Sequence, residues 1–325
     1  LSFPGDKSIS HRALMLATLG KKESKISNLS TGADVLSTRN CLEACGIEIK
    51  DDYDTVIVKG GPFTDPHSVL DCGNSGTTAR MLLGLLAGQG VNATLTGDAS
   101  LSSRPMDRIL SPLAKMGLKT SAKNRTLPIT IKRSGLSGIE YKLPVSSAQV
   151  KSAIILAGLG ASSEISVIEK IPTRNHTELM LESLGVNISY EEGKITVSNS
   201  IQFDCFDINV PGDPSTAAFF AAAATLISRS DLMLKNVLIN PTRIVFFNTL
   251  KKMGANIHFL REKRISGEFV SDIHVQNTPL KAAKIEANDV PGLIDEIPIL
   301  SVVATQANGI TEIHGASELR FKECD

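Results

Sequence analysis

The sequence contains no tryptophan, only three tyrosines and eleven phenylalanines, and its 34 basic residues are balanced by 34 acidic ones. Nucleic-acid-binding domains tend to carry a basic excess with aromatic side chains for base stacking, so no nucleic-acid partner is expected. Long apolar runs are also missing. The longest nearly apolar stretch, Ala217 to Ile227, falls short of the roughly 18 to 20 residues that a membrane-crossing helix needs, and no membrane partner is expected. The five cysteines, Cys41, Cys45, Cys72, Cys205 and Cys324, are odd in number and scattered. That usage fits reduced thiols in a cytoplasmic compartment rather than a disulfide framework. Cys41 and Cys45 stand one helical turn apart, but no histidine or second cysteine pair is near them in sequence, so no metal is expected. There is no G-x-x-x-x-G-K-[ST] loop and no G-x-G-x-x-G after a strand, which removes the usual signatures for ATP and dinucleotides. No nucleophile elbow is present either.

What is present is a globular composition, 42% hydrophobic and 21% charged over 325 residues, enough for about two domains. A repeat organises it. The segments CLEACGIEI, LAKMGLKT, LESLGVNI and LKKMGANI place Gly46, Gly117, Gly185 and Gly254 where a helix ends and a strand begins, a position that favours a left-handed residue. The spacing is about 70 residues, longer than typical solenoid repeats, which favours compact modules. A short strand precedes each of these helices, and an alternating run follows each Gly-strand: TVIVK, PITIK, KITVS and DIHVQ, with the period of two of half-buried strands. Each unit opens with a helix that has a small, polar start and an apolar body: GDKSISHRALMLATLG, GNSGTTARMLLGLLAG, VSSAQVKSAIILAG, GDPSTAAFFAAAA and GLIDEIPILSVVATQ. Such units predict an α/β (α+β) layered architecture. PGDKS at 4–8 and PGDPS at 211–215 stand three repeats apart and are expected to mark domain entries. The expected domains are 6–210, with three units, and 1–5 plus 211–325, incomplete and ending inside a fifth unit.

The opening helices begin with hydroxylated or small residues. Their first backbone N–H groups carry partial positive charge and suit an anion. Lys7, Arg12, Arg80, Arg104, Lys151 and Arg174 stand near these starts and are expected to add cationic side chains for carboxylate or phosphate. Asp295 and Glu296, in the otherwise apolar LIDEIP, are candidates either for acid-base work or for capping the helix that follows. His11 is expected at a helix surface or in a capping role.

Taken together, PGDKSISHRALMLA, GNSGTTAR, SRPMDRIL, VSSAQVKSAIILA, TRNHTELML, LIDEIPIL and ELRFKECD resemble the 5-enolpyruvylshikimate-3-phosphate synthase family, in its class II-like bacterial form, from Phe3 to Asp325. The resemblance implies a two-domain enolpyruvyl transferase fold of repeated βαβαββ units, three per domain. It implies transfer of the enolpyruvyl group of phosphoenolpyruvate to the 5-hydroxyl of shikimate 3-phosphate, by addition and elimination through a tetrahedral intermediate, with no metal or organic cofactor. These small molecules would be the partners of a monomer. By the same resemblance, Lys7 would contact both substrates, with Asp295 accepting the hydroxyl proton and Glu323 or Lys322 donating a proton to the methylene carbon. Shikimate 3-phosphate would be held by Lys7, Ser8, Arg12, Ser146, Ser147, Gln149, Arg174, Asp295 and Lys322. Phosphoenolpyruvate would be held by Lys7, Gly76, Arg104 and Gln149, with Lys322 lining its pocket. The open space at Gly76 implies glyphosate sensitivity. The family continues beyond this point with further basic residues, so negligible turnover is expected of residues 1–325 alone. A related transferase acting on UDP-N-acetylglucosamine is the rival reading within enzymes, and a non-catalytic anion-binding module is the rival outside them.

Overall fold

A computed structural model describes residues 1–317 and 319–322, with Phe321 and Lys322 described by their backbone alone. The chain divides into two compact units, one formed by Lys7–Val210 and the other by Leu1–Asp6 with Pro211–Asp325.

Within Lys7–Val210, three modules repeat one strand order. In the second module, Leu70–Asp71 pairs in parallel with Ala93–Thr96, which pairs antiparallel with Ile129–Lys132, and Lys119–Ala122 forms the edge. The third module repeats this with Glu140–Lys142, Ile165–Ile168, Lys194–Val197 and Ile188–Glu191. The first module has Glu23–Ser27, Thr55–Lys59 and Glu48–Asp52 in the same places, but the parallel strand comes from Asp207–Asn209 at the far end of the unit. The unit is thereby closed on itself.

The turns between helix and edge strand carry the expected backbone. Gly46, Gly117 and Gly185 have φ of 85°, 106° and 84°, in the left-handed region that costs an L side chain energy.

The opening helices Lys7–Ala17, Gly76–Gly88 and Ala148–Gly158 are buried almost all round. Met81, Leu82, Leu83, Leu85 and Leu86 are fully enclosed, as expected for a helix apolar on every side. Gly76–Gly88 and Ala148–Gly158 touch backbone to backbone. A β-carbon on Gly84 would lie 2.1 Å from the carbonyl oxygen of Ala153, and one on Gly160 would lie 1.9 Å from that of Gly88. Only glycine permits this approach, which packs the two helices together along their middles and C-terminal ends.

In the other unit, Asp231–Leu238, Glu268–Gln276 and Asn256–Ile265 form an antiparallel sheet, with Gly254 at φ 95° before the last of these strands. The helices Pro214–Leu226 and Val245–Lys252 pack on it through Ala217, Ala218, Ala221, Phe246, Phe247 and Leu250. Lys284–Ile285 pairs in parallel with Glu312–Ile313.

One expectation fails here. The segment GLIDEIPILSVVATQ is not a single helix but Val290–Leu293 and Ile297–Ala304, with Ile294, Asp295 and Glu296 between them. Pro298 has no N–H to offer and its ring crowds the carbonyl four residues earlier, so the helix restarts just ahead of it.

Candidate functional site: clustered arginines at a helix start, and a buried carboxylate hub

The unit Lys7–Val210 builds a cationic corner where the helices Gly76–Gly88 and Ala148–Gly158 begin. Arg80 stands one turn beyond Gly76, and its Nη1 donates to Gln149 Oε1 at 2.6 Å. Gln149 Nε2 donates to Thr77 Oγ1 at 3.0 Å, so both polar atoms of this amide are fixed by the neighbouring helix. Arg104, at the end of the helix Ala99–Ser103, donates from Nη2 to Asn74 Oδ1 at 3.3 Å and Ser100 Oγ at 3.4 Å. Asn74 is itself anchored, donating to Asp98 Oδ2 at 2.6 Å. Asp98 also accepts from the Leu101 N–H at 2.7 Å. That backbone hydrogen bond, followed by Asn74 and the Arg104 charge, holds the Asp98 carboxyl below its ordinary pKa.

The guanidinium groups meet over Gly76. A β-carbon there would lie 2.9 Å from Arg80 Nη1 and 3.6 Å from Arg104 Nη1. Burial, then the charges of Arg104 and Arg108, push the Arg80 pKa down. Among the described residues, no carboxylate forms an ion pair with Arg80, Arg104 or Arg108. Three like charges with no ion-paired carboxylate among the described residues, Asp98 acting on Arg104 only from beyond ion-pair distance, store repulsion that a bound anion relieves. Arg80 was read from sequence only as one more basic residue. Its position four after Gly76, on the same helix face, was the signal that tied it to this corner.

Two of these helix starts are capped by their own serines. Ser75 and Ser147 are N-caps whose hydroxyls accept from the Thr78 and Val150 N–H groups. Each satisfies one N–H of its own helix, and the guanidinium groups add full positive charge beside these starts.

The other sequence candidates in this unit fall into two groups. Lys7 opens the helix Lys7–Ala17, half-exposed, with Nζ 3.3 Å from Asp34 Oδ2. Ser146 Oγ accepts from the Ile171 N–H at 3.3 Å, tying the start of the helix Ala148–Gly158 to the loop that carries the half-buried Arg174. Arg12 is 4% exposed. It donates from Nε to Thr177 at 2.7 Å, from Nη2 to Ser152 at 2.9 Å and from Nη1 to the Ser8 carbonyl at 2.9 Å.

Lys151 departs from its expected place among the anion-facing cations. It is fully buried, with Nζ 2.8 Å from both Glu169 and Glu178. The charge is spent inside the protein, as a buried ammonium requires. His11 is likewise no surface residue. It is fully buried, with Nδ1 2.7 Å from Thr38 Oγ1, which lies 2.7 Å from Thr78 Oγ1.

The unit formed by 1–6 and 211–325 holds the acidic candidates. Asp295 is half-buried in the turn between Val290–Leu293 and Ile297–Ala304. Glu296, 2% exposed, makes no side-chain capping bond to the helix it precedes. Its Oε1 accepts a short hydrogen bond from Ser215 Oγ. Ser215 also accepts from Arg243 Nη2 at 3.0 Å. Arg243 Nη1 lies 2.7 Å from Asp6 Oδ2, and Nη2 lies 3.5 Å from Asp213 Oδ1. Burial alone would depress the Arg243 pKa, but the carboxylates of Asp6, Asp213, Glu296 and Asp295 outweigh it and hold the guanidinium charged. No sequence pattern singled out Arg243. The side chains of Lys322 and Glu323, the remaining candidates, lie outside the described residues.

This fold is that of the enolpyruvyl transferases. The enolpyruvyl transferase NikO of Streptomyces tendae superposes with a TM-score of 0.74 over 96% of this chain and 74% of its own, at 15% identity, a likeness of fold alone. EPSP synthase of Acinetobacter baumannii superposes with a TM-score of 0.92 at 40% identity, covering 100% of this chain and 75% of that one. The family model for EPSP synthase (3-phosphoshikimate 1-carboxyvinyltransferase) matches residues 1–325, and the chain belongs to that family. Among curated relatives, the 3-phosphoshikimate 1-carboxyvinyltransferases of a Sulfurihydrogenibium species and of Persephonella marina are 47% and 46% identical over 100% of this chain. The chain spans 78% and 77% of their lengths.

Proposed function

We propose that this chain carries out the reaction for which its relatives are named, transferring the enolpyruvyl group of phosphoenolpyruvate to the 5-hydroxyl of shikimate 3-phosphate and releasing phosphate. The observation that carries this reading is the pair of Arg80 and Arg104 over Gly76, braced by Gln149 and Asn74, with the Arg108 charge acting on Arg80 and none of the three in an ion pair with a carboxylate among the described residues. Such a corner suits a small, multiply charged anion, and guanidinium forks match phosphate and carboxylate geometry.

In this reading Gly76, Arg104 and Gln149, with Lys7, bind phosphoenolpyruvate. Ser8, Arg12, Ser146, Ser147, Gln149 and Arg174 bind shikimate 3-phosphate, together with Lys7 and Asp295. Asp295 takes the proton from the attacking hydroxyl as the carbon–oxygen bond forms. Lys322 or Glu323 supplies the proton to the methylene carbon, making it a methyl group, and elimination then removes a proton from that methyl group and phosphate from the tetrahedral carbon, restoring the enol ether. Catalysis comes from orientation, proton transfer and cationic stabilisation of the departing phosphate. Addition and elimination of this kind call for no metal or redox cofactor. The working form is a cytoplasmic monomer whose domains are 6–210 and 1–5 plus 211–325.

The test is phosphate release from the two substrates, comparing the wild type with Lys7→Met and Asp295→Ala, in the polypeptide that carries this sequence to its natural C-terminus. Loss of at least about 100-fold in kcat is expected for each substitution. Turnover in either variant within twofold of the wild type would refute the assigned role.

A further inference from the structure

The two Pro-Gly-Asp segments, 207 positions apart in the numbering, lie side by side. Gly5 and Gly212 form an antiparallel bridge. The Asp6 N–H donates to the Pro211 carbonyl at 2.8 Å and the Asp213 N–H to the Pro4 carbonyl at 3.1 Å. The chain passes from one compact unit to the other at 6/7 and again at 210/211, so this small ribbon lies where both passages begin.

Both aspartates of the ribbon turn to one guanidinium, that of Arg243. Arg243, Asp6 and Glu296 are 4%, 0% and 2% exposed. Among the described residues, the charged groups acting on Arg243 are Asp6, Asp213, Glu296 and Asp295. Stability alone is a poor reason for this arrangement, because desolvating an ion pair can cost as much as the pairing returns. What a forked, buried guanidinium does supply is fixed direction.

We propose that Arg243 is a positioning residue for the transferase reaction: by holding Asp6 directly, and Glu296 through Ser215, it fixes the backbone on which Lys7 and Asp295 stand. Asp6 immediately precedes Lys7, and Glu296 immediately follows Asp295. The inference rests on the catalytic reading of Asp295 given above. Misplacement of a reacting group by about 1 Å costs on the order of 100-fold in rate.

The test is a double-mutant cycle of Arg243→Met with Asp295→Ala, in the polypeptide carried to its natural C-terminus. Arg243→Lys, which keeps the charge but loses the fork, is measured beside it. Arg243→Met is expected to lower kcat by about 100-fold, with KM for both substrates within about threefold. In the Asp295→Ala background the same change is expected to cost at least about fivefold less than in the wild-type background, because one of its two routes of action is gone and only the route through Lys7 remains. Arg243→Lys is expected to lose about tenfold in kcat with the same unmoved KM. Equal losses in both backgrounds, or wild-type kcat in either Arg243 variant, would overturn the proposal. Where Arg243→Met does not fold, Arg243→Lys and its combination with Asp295→Ala decide by the same criterion. Wild-type kcat in Asp295→Ala alone would instead remove the catalytic reading of Asp295, and this proposal with it.

Discussion

A methyl group added at Gly76 isolates the role of the cationic corner. In Gly76→Ala the new β-carbon would lie 2.9 Å from Arg80 Nη1, several tenths of an ångström inside ordinary contact. The atom it meets is the end of a flexible side chain, so the fold can yield by moving the guanidinium. Alanine is also the better helix former, and Gly76 opens its helix without a positive φ. Stability is therefore expected to change by less than about 1 kcal/mol. The cost falls on the site. Moving Arg80 carries its guanidinium away from the anion it would hold, and a hydrogen bond between charged groups contributes about 1.5 to 3 kcal/mol. At about 1.4 kcal/mol per factor of ten, the expected rise in KM for phosphoenolpyruvate is roughly 10- to 150-fold. Shikimate 3-phosphate affinity should stay within about threefold, and inhibition by glyphosate should weaken in parallel with phosphoenolpyruvate binding. Steady-state kinetics with each substrate varied in turn, alongside thermal unfolding, measures all of this. A KM for phosphoenolpyruvate within twofold of the wild type, in a folded variant, would show that the arginines over Gly76 do not contact that substrate.

Two further outcomes follow from burial. Lys151→Met strands the carboxylates of Glu169 and Glu178 and is expected to cost about 3 to 5 kcal/mol in urea unfolding, part of it regained by adding Glu178→Gln; additive effects of the two changes would deny the pairing. Cys45 is pushed up to about 12 by burial, followed by the neighbouring Cys41 and Asp65, and Cys72 is also raised, whereas Cys205 is exposed. Peptide mapping after brief treatment with a thiol reagent at neutral pH should find Cys205 modified and Cys41, Cys45 and Cys72 modified only in denaturant; rapid labelling of Cys45 in the native protein would contradict its burial.

Much of the fold was legible because its signals are local. Gly46, Gly117, Gly185 and Gly254 are marked by backbone geometry that few other residues accept, and TVIVK or PITIK alternate because a half-buried strand has two unlike faces. Proline was equally local, and Pro298 divides the segment that apolar content alone had suggested was one helix. Lys151 and Arg80 show the limit of such reading. Both are basic residues shortly after a polar helix start, and the sequence treats them alike. One meets two glutamates at 2.8 Å and is neutralised in the interior, while the other meets Gln149 and keeps its charge for the site. The difference lies in partners supplied by other segments.

The sequence by itself determined the modules: where each helix stops, which strands have two faces, and which helices are apolar enough to be enclosed. Only the tertiary structure decided how those modules close and what their charges do. Asp207–Asn209 completes a sheet begun at Glu23–Ser27, Gly84 admits the backbone of Ala153, and Arg243 reaches Asp6 across 237 positions. Backbone dihedrals and side-chain periodicity act over a few residues and are written wherever they act. Ion pairs and backbone contacts between distant segments depend on which surfaces packing brings together, and no short stretch of chain carries that information.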